Sequence, residues 1–455
     1  MPGSIELRKM RVLAVGLART GAATALFCAK HNAIVTATDQ RPENELGDAP
    51  AKLREAGVTL ELGGHREKTY LAQDLIIPSP GVPADDPLLA KARSKGITIW
   101  SEIELAYRFL EGELIGITGS NGKTTTTTLV HHILKKGGKH ALLAGNVGTP
   151  LISCVEEMKA GTISVVELSS FQLELIDKFR PDIGVFLNVT PDHLDRHKTM
   201  AAYAAAKARI FEKQTEMDAA VLNADDTPTV ALAPKKPQVF WFSRKKSVGQ
   251  GAYLRGDEIV IAHHGKEEFV MNRGEIPLPG AHNVENALAA VMAARLAEVD
   301  TRTIAAAVKS FEGVEHRLEF VAEIGGVRYY NDSKATNVDA TLKALDAFPG
   351  RILVILGGKD KGSDYAVLRE ALRDKAILAL LIGTAAEKIE SQISGSVAIE
   401  RAETMERAVE TASQAARAGD VVLLAPACAS FDQFENYEHR GRVFKELVNG
   451  LKGGG

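Results

Sequence analysis

Gly116-Ile-Thr-Gly-Ser-Asn-Gly-Lys-Thr124 follows directly on the apolar pair Leu114-Ile115 and runs into the threonine-rich stretch 125–128. A buried strand entering a Gly-rich turn and then a helix points backbone N–H groups at an anion, and the helix N-terminus adds positive potential. In this reading Gly119, Ser120, Asn121 and Gly122 cradle a polyphosphate at the start of a helix that carries Thr124 and Thr125. Lys123 reaches the outer phosphates, and the Thr124 hydroxyl is available to a divalent cation. The spacing is not that of the standard P-loop, which needs glycine where Ile117 stands; the additional glycine is Gly119.

The chain of 455 residues is too long for one core and predicts about three domains. Hydrophobic residues make up 45% and charged residues 25%, the balance of an ordinary globular protein. A net charge of −3 offers no basic field for nucleic acid, and no stretch is long and apolar enough to insert in a membrane. Cys28, Cys154 and Cys428 lie in apolar surroundings without paired spacing, as reduced core thiols of a cytoplasmic protein would. The closing glycines 453–455 read as a frayed tail.

Short β-branched runs alternate with amphipathic helical stretches, the pattern of parallel α/β sheets. Residues 11–16, 33–37 and 74–77 read as strands of a first block, with a helix over 21–30. A second block opens at Leu114, with strands at 164–168, 183–188 and 219–223. Residues 252–271 alternate and turn twice, an antiparallel β insertion, and helices follow at 282–298 and 302–311. A third block has strands near 351–356, 377–382 and 421–425. The expected division is 1–107, 108–313 and 314–455: a Rossmann-like domain, a P-loop-type domain with a β insertion, and a second Rossmann-like domain.

Several polar segments sit where such sheets bind ligands, at the C-terminal ends of strands. Val15-Gly16-Leu-Ala-Arg-Thr20-Gly21 is a partial dinucleotide fingerprint, with Ala14 and Arg19 in place of two glycines. Asp39-Gln40-Arg41 follows the next strand, as a ribose-binding acid or merely a polar loop. Glu167 ends another strand, followed by Leu-Ser-Ser-Phe-Gln172, and suits Mg²⁺, which takes oxygen ligands. His193 in Asn188-Val-Thr-Pro-Asp-His-Leu-Asp195, flanked by aspartates, reads unaided as structural. Lys207 in Tyr203-Ala-Ala-Ala-Lys-Ala-Arg-Ile-Phe211 reads as a solvated helix lysine. Asn283 and Asn286, one turn apart in Pro279–Asn286, read as capping amides. Arg317 and Asp332, taken singly, read as surface charges. They lie in Glu315-His-Arg-Leu-Glu319 and Asn331-Asp-Ser-Lys-Ala-Thr-Asn337. The segments Leu356-Gly-Gly-Lys-Asp-Lys-Gly362 and Ala425-Pro-Ala-Cys-Ala-Ser430-Phe-Asp432 both follow buried strands.

Taken in order along nearly the whole chain, these segments resemble the Mur ligase family, which builds the peptide stem of bacterial cell walls. The resemblance implies an ATP- and Mg²⁺-dependent ligase whose first domain holds a UDP-linked substrate rather than a dinucleotide. It assigns Thr20, Asp39, Gln40, Arg41, Ser79, Gly81 and Asn146 to UDP-substrate binding. The Gly119–Thr125 loop, Asn283, Asn286, Arg317 and Asp332 go to ATP; Thr124, Glu167 and His193 go to metal. Lys207 joins the metal ligands if carbamylated. Lys123, His193, Lys207 and Arg317 are the implied catalytic groups. The last two segments resemble the D-glutamate-adding branch, with Lys334, Thr336, Lys361, Ser430 and Tyr437 on the amino acid. Tyr437 stands where that branch carries phenylalanine. The implied partners are UDP-N-acetylmuramoyl-L-alanine, D-glutamate and ATP, with the chain a monomer whose last domain closes over the central one. Ligation of another amino acid is the near alternative. A P-loop ATPase without ligation is the distant one.

Overall fold

Three groups of apolar runs become three sheets in the computed structural model, which describes residues 5–146 and 148–451; the glycine tail lies outside the described residues. The first sheet comprises β1 (Arg11–Val15), β2 (Ile34–Asp39), β3 (Thr59–Leu62), β4 (Leu75–Pro78) and β5 (Thr98–Ile99). All are parallel, in the order β3-β2-β1-β4-β5. Strands covered by helices on both faces need unbroken apolar sequence, and residues 12–15 and 75–77 are fully buried. The order reverses between β1 and β4, the switch point at which such sheets open a ligand crevice.

The second sheet holds β6 (Glu113–Thr118), β7 (His140–Gly145), β8 (Thr162–Glu167), β9 (Ile183–Phe186), β10 (Ala219–Asn223), β11 (Gln238–Ser243), β12 (Gly251–Arg255), β13 (Glu258–His263) and β14 (Lys266–Asn272). Its order is β14-β13-β12-β11-β10-β9-β6-β8-β7, parallel from β7 through β12 and antiparallel across the two hairpins that end it. The alternating stretch 252–271 therefore extends the edge of the main sheet. The third sheet joins β15 (Glu319–Ile324), β16 (Val327–Asn331), β17 (Ile352–Gly357), β18 (Ala376–Ile382), β19 (Ile399–Glu403) and β20 (Val421–Leu424) in the order β15-β16-β20-β17-β18-β19. Only the β15–β16 hairpin is antiparallel; it turns at Gly325 and Gly326, both at positive φ (59° and 76°), as a tight hairpin turn requires. Among the described residues no helix is long and apolar enough to cross a membrane.

The first two sheets belong to one compact unit, which runs to Arg273 and includes Glu285–Val308. The other unit is Gly274–Val284 with the chain from Lys309 onward. Inside the first unit the segment between sheets is tied down by a buried carboxylate. Glu104, in the helix Glu102–Tyr107, has no solvent exposure, and its Oε2 accepts the N–H groups of Asp177, Lys178 and Phe179 at 2.9, 2.9 and 2.8 Å. Its Oε1 accepts from Arg108 Nε at 2.6 Å, and Arg108 also bonds Asp177 and lies 4.0 Å over the Trp100 ring. Glu104→Leu should lower unfolding free energy by about 3–5 kcal/mol, since it strands three backbone donors, one of them fully buried, and a buried guanidinium. Denaturant titration would read this as a shifted midpoint, and an unchanged midpoint would disprove it.

Candidate functional site

The Gly-rich turn leaves β6, an interior strand of the nine-stranded sheet, with β8 and β9 on either side. Gly122 sits at φ +82° as the N-cap of the helix Lys123–Lys136, and a Cβ there would lie 2.1 Å from Asn286 Oδ1. Gly119, at φ +156°, would bring a Cβ to 2.9 Å from Leu187 Cβ. Both positions need glycine for backbone conformation and for close approach. Asn188 braces the loop like a paired amide: its Oδ1 accepts from Asn121 N (2.9 Å) and its Nδ2 donates to Asn121 O (3.2 Å). Thr190 accepts from Asn121 Nδ2 at 2.9 Å and exchanges bonds with Ser120. Sequence reasoning missed these two supports, although both lie in a segment it singled out for His193.

Two lysines converge on one oxygen. Lys123 Nζ donates to Gly119 O (2.9 Å) and Ser120 O (2.8 Å), and Lys207 Nζ donates to the same Gly119 O at 2.7 Å. Lys207 is 1% exposed, which corrects its reading as a solvated helix lysine: on the helix Met200–Ala208 it shares the buried face with Tyr203 and Ala204. Burial, then the neighbouring Lys123 charge, hold its pKa well below the ordinary lysine range, against the pull of Asp192 and Glu167. Glu167, also buried, accepts from Asn146 Nδ2 at 2.9 Å through Oε1, while its Oε2 is buried without a hydrogen-bond partner. Thr124 and Thr125 are buried at the helix start.

His193 takes left-handed backbone angles (φ 53°) at the head of the one-turn helix Leu194–His197, and Lys198 closes the turn at φ 66°. Its ring is half-exposed, 3.5 Å from Asp192 and edge-on to Phe171. Asn286 lies against the phosphate loop and accepts from Thr126 Oγ1 at 3.4 Å, whereas Asn283 donates to Pro279 O at 2.7 Å.

At the switch point of the first sheet, Ser79 Oγ donates to Gly16 O at 2.6 Å, and Asp39 holds the adjoining turn by accepting from Leu17 N at 2.7 Å. Burial opposes the Asp39 charge, but the Arg41 guanidinium and the Arg41 and Leu17 N–H groups outweigh it and bring its pKa to about 2. Gln40 and Gly81 are exposed and Thr20 is half-buried. A cleft of about 460 Å³ opens beside Arg41, lined also by Leu17, Arg19, Leu46 and Lys52. Asn146, by contrast, is at the end of β7 on Glu167.

In the second unit Asp332 is buried at the end of β16, and burial raises its pKa to about 7 against the nearby Arg317 and the Leu318 N–H. Asp332 is thus a buried group whose charge the nearby Arg317 favours, rather than a plain surface acid. The Lys334 ammonium lies 3.7 Å over the Tyr437 ring, and Thr336 N donates to Lys334 O at 2.8 Å. The loops after β17 and β20 pair through Lys359 and Ala429, which places exposed Lys361 and buried Ser430 on one paired ribbon. Sequence reasoning also missed Arg440. On the helix Tyr437–Gly450 it is fully buried, and its guanidinium bonds Ser333 Oγ (2.9 Å), Ser333 O (2.8 Å) and Cys428 O (3.2 Å). Its only sequence signal is an arginine one turn into a helix, which is ordinary.

Three family models match in succession: the Mur ligase MurD-like N-terminal domain (residues 10–101), the Mur ligase middle domain (117–294) and the Mur ligase glutamate ligase domain (316–428). The chain is 54% identical to a UDP-N-acetylmuramoylalanine–D-glutamate ligase from Koribacter versatilis, over 98% of each chain. It is 52% identical to the ligase of that name from Acidobacterium capsulatum, over 99% of this chain and 98% of the relative. In fold it is similar to a pseudomurein peptide ligase type C from Methanothermus fervidus (TM-score 0.60, 19% identity, 97% and 100% of the two chains). It is also similar to a MurF ligase from Thermotoga maritima in complex with ADP (TM-score 0.60, 18% identity, 99% and 98%). With the phosphate loop, the buried Glu167 and Lys207 beside it, and relatives this similar from end to end, the chain belongs to the Mur ligase family.

Proposed function

We propose that the chain joins D-glutamate to UDP-N-acetylmuramoyl-L-alanine at the expense of ATP, releasing ADP and phosphate. The observation that carries this reading is the convergence of the Gly119–Thr124 loop, Lys123, Lys207 and the unpaired Glu167 oxygen at one edge of the central sheet. In the first step an oxygen of the L-alanyl carboxylate attacks the γ-phosphorus of ATP, its bond to the bridging oxygen breaks, and ADP leaves. In the second, the neutral amine of D-glutamate attacks the acyl carbon, the tetrahedral intermediate collapses, phosphate departs and the amine sheds its proton. Such chemistry asks the protein for alignment and charge neutralisation.

Lys123 and the loop N–H groups are assigned to the phosphates, with Asn283 and Asn286 on the nucleotide side. Mg²⁺ supplies neutralising charge between phosphate oxygens, and the donor set fits it: Glu167 offers a buried carboxylate oxygen without a partner, and Thr124 a hydroxyl. A buried cationic Lys207 beside that carboxylate would oppose a metal. A carbamate removes the conflict: neutral Nζ attacks the carbon of CO₂, an N–C bond forms as one C=O π pair moves to oxygen, and the Nζ proton passes to solvent, leaving an anionic carboxylate-like group. The depressed pKa of Lys207 makes the neutral amine available. His193 is assigned to the acyl phosphate and metal. Arg317 steadies the transferred phosphoryl group, and Asp332 takes the ribose. Thr20, Asp39, Gln40, Arg41, Ser79, Gly81 and Asn146 are assigned to the UDP-linked substrate, and Lys334, Thr336, Lys361, Ser430 and Tyr437 to the two carboxylates of D-glutamate. The same reading divides the chain after residues 107 and 313 and makes it a cytoplasmic monomer.

Phosphate release measured with ATP, Mg²⁺ and UDP-N-acetylmuramoyl-L-alanine across D- and L-amino acids should respond to D-glutamate, with the amide product seen by mass. Release that ignores the amino acid would leave an ATPase. Lys123→Ala should abolish ligation at unchanged melting temperature, and wild-type-like turnover would refute the phosphate-cradle argument. Carbamylation of Lys207 should give a ¹³C carbamate resonance after equilibration with ¹³C-bicarbonate, absent in Lys207→Arg. The same spectrum in both proteins would remove Lys207 from the metal site.

A further inference from the structure

Arg196 lies outside every role assigned above, yet both terminal nitrogens of its side chain are bonded, while its buried Nε has no hydrogen-bond partner. It projects from the one-turn helix Leu194–His197, three residues after His193, and is 14% exposed. One terminal nitrogen donates to Pro80 O at 2.6 Å; the other donates to Val82 O at 3.0 Å and to Glu174 Oε2 at 2.7 Å. The guanidinium carbon lies 4.0 Å above the Phe171 ring. That ring in turn stacks on His197 (5.4 Å) and meets His193 edge-on (4.9 Å). His197 is held by Ser170 Oγ at 2.9 Å and lies 3.4 Å from Glu174.

These contacts join two places that the proposed reaction must hold in register. Pro80 and Val82 lie on the loop after β4, which carries Ser79 and Gly81 at the switch point of the first sheet. Phe171 and Glu174 follow β8, whose last residue is Glu167. The His193 turn is itself strained, with non-glycine residues at positive φ at both its ends, and such strain persists only where surrounding contacts over-determine it. Arg196 supplies those contacts from inside the strained turn. A planar, permanently charged fork can bond two backbone carbonyls and a carboxylate while stacking on a ring; an ammonium cannot do all of these together.

We propose that Arg196 is a positioning residue for the UDP-linked substrate. It fixes the 79–82 loop against the His193 turn, so that the carboxylate of a substrate held in the first sheet's crevice arrives at the phosphate loop. The inference rests on the ligase reading above. It differs from a merely structural role in which constants it moves: alignment of one substrate is lost, while ATP and amino acid binding are untouched.

The test is the kinetics of Arg196→Lys with the full-length protein, varying each substrate in turn and recording the melting temperature. Expected is a fall of about 10- to 100-fold in kcat/KM for UDP-N-acetylmuramoyl-L-alanine, the loss that small misplacements cause. The KM values for ATP and D-glutamate should stay within about twofold of wild type, the latter being no larger than a single weak contact produces. A rise of the ATP and D-glutamate KM values alongside that of the UDP substrate, or no loss, overturns the proposal. If Arg196→Lys does not fold, Phe171→Leu removes the ring under the guanidinium, and the same fall in kcat/KM for the UDP substrate with unchanged KM values for ATP and D-glutamate, or its absence, decides. Wild-type protein run in parallel separates the two claims, because a wild type inactive with D-glutamate defeats the ligase reading, whereas an active wild type with an unselective variant defeats only the role of Arg196.

Discussion

The carbonyl oxygen of Gly119 receives two lysine side chains, and much of the central site follows from that crowding. Like charges this close, one of them fully buried, are costly in a low-dielectric surrounding unless one is neutralised or an anion arrives. In the proposed reading a polyphosphate would satisfy Lys123 and the loop N–H groups together. Lys207 has no such exit, since its helix turns it into the core beside Tyr203 and toward Glu167. The site thus holds a charge imbalance that the proposed ligands would relieve.

Rigid supports make that imbalance tolerable. Asn188 and Thr190 hold the phosphate loop from the neighbouring strand, and Asn286 presses on Gly122 from the other side. The loop keeps its shape through bonds it does not itself make, the arrangement needed when donors must already point at developing charge. In the second unit the buried Arg440 does comparable work, joining the segments that carry Lys334 and Ser430 through Ser333 and Cys428. Glu104 plays the same part at the link between the first two sheets.

Most strands in the interior of the sheets were legible because a strand covered on both faces must be continuously apolar. The strands that sequence reading does not identify include the edges β3, β5, β7 and β19, which pair on one side only and carry polar residues such as Glu61 and Glu400, and also the interior strand β11 (Gln238–Ser243). The loop Gly119–Thr124 was equally legible, since its glycines answer a local backbone requirement. Lys207 was not: an alanine-rich helix has no strong apolar stripe, so periodicity could not say which face is buried. Arg196 and Arg440 were hidden for a different reason, as their partners are mostly backbone carbonyls distant in sequence, which leave no mark on residue type.

By itself the sequence determined the α/β alternation, the strand–Gly-rich loop–helix at residues 114–136, and the order of motifs that places the chain among Mur ligases. These depend on contacts between residues close in the chain, where spacing and residue type carry the information. The tertiary structure alone decided which charged groups are buried, which share a partner, and which backbone carbonyls they meet. Those are properties of long-range packing: desolvation depends on everything that surrounds a group, and Lys207 meets Gly119 across 88 positions of sequence.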